Sequence, residues 1–285
     1  PTRDAAPHAQ LPSLRRDPRE AKAELITLAS ESTGPAPADD ELTALLGALQ
    51  AEAIPILVRA VPSLEGTDLR EPLSDALDRL VSTHPDSIRA LLRAEDPMLV
   101  AEAARIVARL RIGDAEGLLS ELLSRPETVV RLGALEALAS LESQAGIRAL
   151  FEALDDTDRD IRVSAIDAIE RIRPPGAEAE LRRRVDAGSL ARLDDTERMH
   201  FLKGCVAVCG DSIVSQLSKV LNGRRWWGGR HPVALRAGAA RALGLAGSSE
   251  ARRALERSSQ DRAPAVASAV RAAVRHIDGA EGDPS

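Results

Sequence analysis

A recurring helical segment constrains this chain more than any other feature of its sequence. Around Arg70, Ala101, Arg131, Arg162, Arg198, Arg236 and Ala267 the same pattern returns, at steps of 31, 30, 31, 36, 38 and 31 residues. The clearest copies are Val130–Leu138, Ile161–Ile169 and Leu235–Leu243. Each places an arginine (Arg131, Arg162, Arg236) three positions before a small alanine (Ala134, Ala165, Ala239). A Gly, Pro or Ser break follows, then a second amphipathic stretch such as Ala145–Leu154 or Ala251–Ser258. Apolar residues fall at i, i+3, i+4 and i+7, the period of a helix and not of a strand. Two helices of this length cannot bury both apolar faces alone, whereas a stack of such pairs buries a continuous core.

Composition agrees with that reading. The chain is 44% hydrophobic, mostly through Leu and Ala, and holds two Trp, two Phe and no Tyr. So few aromatics argue against a β-sandwich or barrel, which draws on aromatic and β-branched residues. The fold class expected is all-α: a right-handed α-solenoid of seven or eight stacked antiparallel helix pairs. Residues 1–16 are polar and Pro-containing and read as a flexible tail or linker. Asp17 and Pro18 open a helix as N-cap and first helical residue. Residues 17–66 read as N-terminal helices with a degenerate or capping repeat, expected to close one end of the stack or link to a further domain. Residues 67–277 form the solenoid, and 278–285 a C-terminal tail.

These segments resemble short HEAT-like repeats, the ~31-residue kind also found in phycobilin lyase-type proteins. The resemblance covers roughly residues 67–277. It implies an Asp before each first helix and an Arg on it, forming a ladder between repeats. Asp156 precedes Arg162 by six residues as the pattern asks, but Asp261 precedes Ala267, and Arg131 and Arg236 have no Asp at that offset. The ladder therefore reads as patchy.

The longer steps mark two insertions, at about 186–195 and 222–231, and insertions in a solenoid commonly carry binding loops. The second contains both tryptophans and three arginines: Arg224, Arg225, Trp226, Trp227 and Arg230. It resembles a loop of the C-terminal module of many bacterial HEAT-repeat proteins, for which no activity is implied. Trp and Arg are residue types that dominate binding energy at protein interfaces, and Arg pairs with carboxylate or phosphate. Stacking of bases on Trp beside Arg would also suit single-stranded nucleic acid. The competing structural reading is that a tryptophan packs on adjoining helices and anchors the loop. Charge is unevenly spread: residues 1–200 carry a net of -12 and residues 201–285 a net of +6. Such a dipole along the stack would suit an acidic partner, phosphate, or head-to-tail self-association.

No other motif leads to chemistry. Cys205 and Cys209 lie one turn apart on a helix with His200, but structural zinc wants four ligands and no fourth is near. They read as core residues. Asp156, Asp158 and Asp160 begin like a calcium loop, yet Ile161 and Asp167 stand where glycine and glutamate belong, so they read as helix caps. Asp194 with Glu197 reads as a capping box. None of the five histidines is followed by Glu, so the His-Glu pairs of the di-iron hydroxylases built on HEAT repeats are missing. DNA-glycosylase and bilin-lyase activities, which the resemblance invites, find no specific support, since phosphate binding wants a longer basic track.

The function read from the sequence is therefore a non-catalytic protein-protein interaction scaffold or adaptor, with no cofactor and no metal. It would present a solenoid surface and the loop residues Arg224, Arg225, Trp226, Trp227 and Arg230 to a protein partner. The alternatives are a nucleic-acid-binding module using the basic C-terminal end, or self-assembly. Two cysteines make no disulfide framework, which points to a reducing compartment and a cytoplasmic protein. No run of 18 apolar residues suggests a membrane span.

Overall fold

The computed structural model describes residues 45–64, 66–223 and 230–281. The expected tail at 1–16, the helix opening at Asp17 and Pro18, and Arg224, Arg225, Trp226 and Trp227 lie outside the described residues. Chain packing divides into two compact units, Pro1–Leu119 and Ser120–Ser285. That division falls within the span that the sequence presents as one run of repeats.

The first unit contains α1 (Ile54–Ala60), α2 (Arg70–Thr83), α3 (Pro85–Leu92), α4 (Pro97–Leu110) and the start of α5 (Glu116–Leu122). Local sequence sets these starts. Proline occupies the first position of α3 and α4, where its missing N–H costs nothing. The Asp96 carboxylate caps α4 by accepting from the Met98 and Leu99 N–H groups. Leu57, Leu77, Ile88, Leu92, Val100 and Val107 form the buried interior of this unit.

The second unit continues with α6 (Thr128–Leu141), α7 (Gln144–Ala153), α8 (Arg159–Ile172), α9 (Ala177–Arg184), α10 (Asp195–Cys209), α11 (Val214–Asn222), α12 (Val233–Ala246), α13 (Ser249–Glu256) and α14 (Pro264–Glu281). First helices pack in a row, α6 on α8, α8 on α10, α10 on α12 and α12 on α14. The second helices α7, α9, α11 and α13 each pack on the first helix that follows. This is an α-solenoid, in which each pair buries its apolar side against its neighbours. Among the described residues there is no β-strand.

Small residues set the spacing of the row. Ala134, Ala165 and Ala239 are fully buried, as the recurrence requires of positions where backbones approach. Between α12 and α14 the backbones themselves come close: a Cβ added at Gly244 would lie 2.7 Å from the Ala273 Cβ and 2.9 Å from its Cα. Leu, Ile, Val and Ala fill most of the rest of this core, with Phe201, Cys205 and Cys209, so few aromatics are needed.

By length and composition the stretch Asp195–Asn222 would pass for a membrane-crossing helix. It is two helices, α10 and α11, separated by a 3-10 turn at Gly210–Ile213. Leu202, Cys205, Leu217 and Leu221 on it belong to the solenoid core.

Candidate functional site

The arginine of the repeat explains how the connecting segments are held. Arg131, Arg162, Arg198 and Arg236 are each the fourth residue of their helix. From there each guanidinium reaches back to carbonyls of the loop that leads into its own helix. Arg131 donates to the carbonyls of Arg125 (3.0 Å) and Pro126 (2.9 Å), and Arg162 to those of Asp156 (2.7 Å) and Thr157 (2.9 Å). Arg198 donates to Leu190 (2.9 Å) and Leu193 (2.5 Å), and Arg236 to His231 (3.0 Å). Loop carbonyls that would otherwise be unpaired near the core are thus satisfied.

The same side chains also reach forward. Arg131 lies 3.6 Å from both Asp156 and Asp158, Arg162 pairs with Glu197 at 2.6 and 2.9 Å, and Arg236 pairs with Asp261. The ladder is therefore less patchy than the sequence suggests. Its rungs run from one repeat's arginine to the next repeat's acid, so Asp261 has a partner in Arg236 although position 267 is alanine. One rung is missing. Among the described residues the ion pair of Arg198 is with Asp195 on its own helix, and the segment before α12 offers His231 and Pro232 where an acid would stand.

Glu197 corrects a second expectation. Asp194 caps α10 through the Thr196 and Glu197 N–H groups, but the Glu197 carboxylate goes to Arg162, so only half of the capping box forms. Asp158 is the N-cap of α8, accepting from Asp160 N–H, which agrees with reading these aspartates as caps. The Thr128 hydroxyl, the Asp160 N–H and the Arg131 charge hold the Asp158 carboxyl below its ordinary value.

The missing rung is where the Arg/Trp insertion stands, and its two ends are pinned. At its start the Asn222 amide donates to the Ala254 carbonyl (3.3 Å) and its oxygen accepts from the buried Ser258 hydroxyl. A Cβ added at Gly223 would lie 2.2 Å from the Lys219 carbonyl oxygen of α11, which leaves room for glycine alone, and 3.2 Å from His231 Nε2, which places the two ends of the loop side by side. At its end Arg230 and Arg236 both donate to one oxygen of Asp261, whose side chain is 1% exposed. The other oxygen accepts from Ala263 N–H at 2.9 Å. Burial pushes the Asp261 carboxyl up, but the Ala263 N–H and the two arginine charges outweigh it, leaving the group below the ordinary aspartate value.

Of the five residues expected to meet a partner, only Arg230 is described. It is half-exposed, but its charge is engaged by Asp261, so it is an anchor of the loop's base. No local pattern marks Asn222, Ser258 and Asp261 as members of this base. Asp261 was visible only as an irregular ladder residue, since its partners lie 25 and 31 positions earlier.

Cys205 and Cys209 are buried in the core. Burial raises the Cys205 thiol well above its usual range and raises Cys209 to about 11, with Glu178 adding to the latter. His200 hydrogen-bonds Asp167 at 2.7 Å. Among the described residues no group of three His, Cys, Asp or Glu side chains is placed to hold a metal ion.

Comparison with known proteins adds the following. A family described as HEAT repeats matches residues 85–170 and 115–194. No curated protein matches the chain. An engineered protein of solved structure is 20% identical over 68% of this chain and 96% of its own, with a TM-score of 0.37. Human deoxyhypusine hydroxylase in complex with glycerol is 19% identical over 92% of this chain and 98% of its own, with a TM-score of 0.37. A designed armadillo repeat protein is 16% identical over 89% of this chain and 99% of its own, with a TM-score of 0.31.

Proposed function

We propose, from the premise that this chain is a HEAT-repeat protein over residues 85–194, that it is a non-catalytic interaction scaffold or adaptor. Its binding element is the insertion at 222–231, where Arg224, Arg225, Trp226 and Trp227 meet a protein partner and Arg230 holds the base. The observation that supports this reading is the construction of that base. Asn222, Ser258, Arg230, Arg236 and Asp261 fix both ends of a segment rich in interface-type residues. Fixing the ends lowers the entropy lost when such a segment is ordered by a partner. A slack connection between two helices would need no buried carboxylate to do this. The reading keeps the protein in the cytoplasm, where Cys205 and Cys209 remain thiols.

The test is affinity capture from source lysate with wild type and a variant carrying Arg224→Ala, Arg225→Ala, Trp226→Ala and Trp227→Ala, with and without nuclease. A protein kept by wild type, lost by the variant and indifferent to nuclease is the expected result. Retention that disappears with nuclease would move the function to nucleic acid through the basic C-terminal end. If both forms keep the same set, the loop is structural and the reading fails.

A further inference from the structure

The rung missing from the arginine ladder leaves an open cleft in its place. Arg131, Arg162 and Arg236 each hold loop carbonyls behind them and a carboxylate of the next repeat ahead. Arg198 holds the Leu190 and Leu193 carbonyls in the same way, but ahead of it the start of α12 offers no acid. At that place Arg198 and Met199 of α10 and Val233, Ala234 and Arg241 of α12 line a cleft of ≈ 370 Å³. Its surface is mainly apolar and reaches solvent: Val233 is 43% exposed, Ala234 is exposed and Met199 is half-buried.

The charge at the root of this cleft is poorly answered. The Arg198 side chain is 8% exposed, whereas that of Asp195, its ion-pair partner among the described residues, is 82% exposed. Water screens such a pair, so a buried guanidinium is left with weak compensation. Its Nε, Nη1 and Nη2 each make one hydrogen bond, to Leu190, Asp195 and Leu193, which leaves one N–H on Nη1 and one on Nη2 unused. Arg131 and Arg162 show that an arginine at this position can keep two carbonyls and still meet a carboxylate of the next repeat. Arg241, on the α12 wall, makes no ion pair among the described residues and adds a second positive charge.

We infer that the cleft between α10 and α12 receives an acidic side chain of a protein partner, whose carboxylate takes the place of the missing rung on Arg198. An apolar residue beside that acid in the partner packs on Val233, Ala234 and Met199. The carboxylate accepts from the free N–H groups of Nη1 and Nη2, a forked arrangement that guanidinium offers and ammonium does not. Apolar walls with one carboxylate at the rim suit a single acid better than a run of phosphates, which wants a continuous basic track. The cleft adjoins the Arg/Trp insertion, since Val233 follows Arg230 by three residues. The inference rests on the adaptor reading only in taking the partner to be a protein.

The experiment is a fluorescence-anisotropy titration with a labelled glycine-rich peptide carrying glutamate-leucine-glutamate, beside its glutamine counterpart and a labelled oligothymidylate. Wild type is compared with Pro232→Asp and Ala234→Phe. Pro232 stands four residues before Arg236, as Asp158 does before Arg162, so Pro232→Asp supplies the missing acid from within the chain. The glutamate peptide should bind wild type in about the submillimolar range, and the glutamine peptide about tenfold more weakly, since a charge-assisted bond is lost. Pro232→Asp should weaken the glutamate peptide about tenfold and raise the denaturation midpoint, the second being an effect that mere damage to the cleft would not give. Ala234→Phe fills the cleft from an exposed position without changing charge and should weaken the peptide to a similar degree, which keeps the test decisive if Pro232→Asp fails to fold. Equal binding of the two peptides, undiminished binding by Ala234→Phe, or tighter binding of oligothymidylate than of the glutamate peptide would overturn the assignment. None of these readings uses the residues 224–227 replaced in the lysate capture, so failure here and failure of the adaptor reading are separate results.

Discussion

The two insertions depart from the 31-residue step by five and seven residues, and the protein holds them in opposite ways. The first folds onto itself: Asp186 caps its own helical turn, Leu190 is buried, and Arg198 spends its guanidinium on the Leu190 and Leu193 carbonyls. The second is held at its two ends, by Asn222 and Ser258 at one side and by Arg230, Arg236 and Asp261 at the other. Both anchors use the arginine at the fourth position of the following helix. One device therefore serves two ends: carbonyls behind it and a carboxylate ahead of it. An insertion changes what lies behind without disturbing what lies ahead. Where an insertion also removes the acid that the preceding arginine would meet, as before α12, a rung is lost and the loop's base has to be rebuilt from Asp261.

Removal of Asp261 should cost the protein most. Asp261→Ala would leave buried Arg236 uncompensated and release Arg230, and stripping one partner from a buried pair costs about 3–5 kcal/mol. Chemical denaturation should register that loss, whereas an unchanged midpoint would show that the base is not held electrostatically. Acid should act through the same group. The Asp261 carboxyl sits below its ordinary 3.8, so its contribution is complete above that value and disappears as pH falls through the lower, folded value. Asp158 behaves likewise. Below about pH 4 the wild type should lose stability more steeply than Asp261→Asn, and parallel curves for the two would count against the assignment.

A second contrast concerns how the row of helices packs on each side of the second insertion. Gly244→Ala would drive a methyl into the Ala273 Cβ and Cα, which cannot retreat without shifting α14, at about 1–3 kcal/mol. Gly204→Ala meets the Ile166 side chain at 2.6 Å, which has rotamers to change. Thermal unfolding should rank Gly244→Ala as the more damaging, and the reverse order would mean that α12 and α14 adapt more readily than α8 and α10.

Much of this was legible in the sequence, because the helical period and the small residue after each arginine are local signals. The structure starts α6, α8, α10, α12 and α14 three residues before Arg131, Arg162, Arg198, Arg236 and Ala267, which is what a stacked repeat of one register requires. The register slips toward the N-terminus, where Arg70 opens α2 and Ala101 is the fifth residue of α4. The ladder escapes a search within one repeat because a rung joins residues 25 to 35 positions apart. Glu197 shows the same failure, since its spacing from Asp194 suits a local box while Arg162, arriving from the neighbouring helix, offers two charge-assisted bonds instead. Arg230 looked available for a partner for the same reason: nothing nearby in sequence announces Asp261.

The smallest expected effect separates cap from charge where the first insertion ends. Asp194 accepts from Thr196 N–H at 2.8 Å and Glu197 N–H at 2.9 Å, and it lies 3.5 Å from exposed Arg159. An exposed pair at that distance contributes little, whereas loss of a cap costs about 1 kcal/mol. Asp194→Ala should therefore lower the denaturation midpoint by about that amount, and Asp194→Asn, which keeps the accepting oxygen, by much less. Equal losses in the two variants would mean that Arg159 matters more than the helix start. α12 provides the counterpart, since it begins behind Pro232 with no side-chain cap at all. The first insertion thus ends on its own hydrogen bonds, while the second depends on an acid contributed by the next repeat, so cap removal should loosen the insertion at 186–195 and leave the base of 222–231 intact.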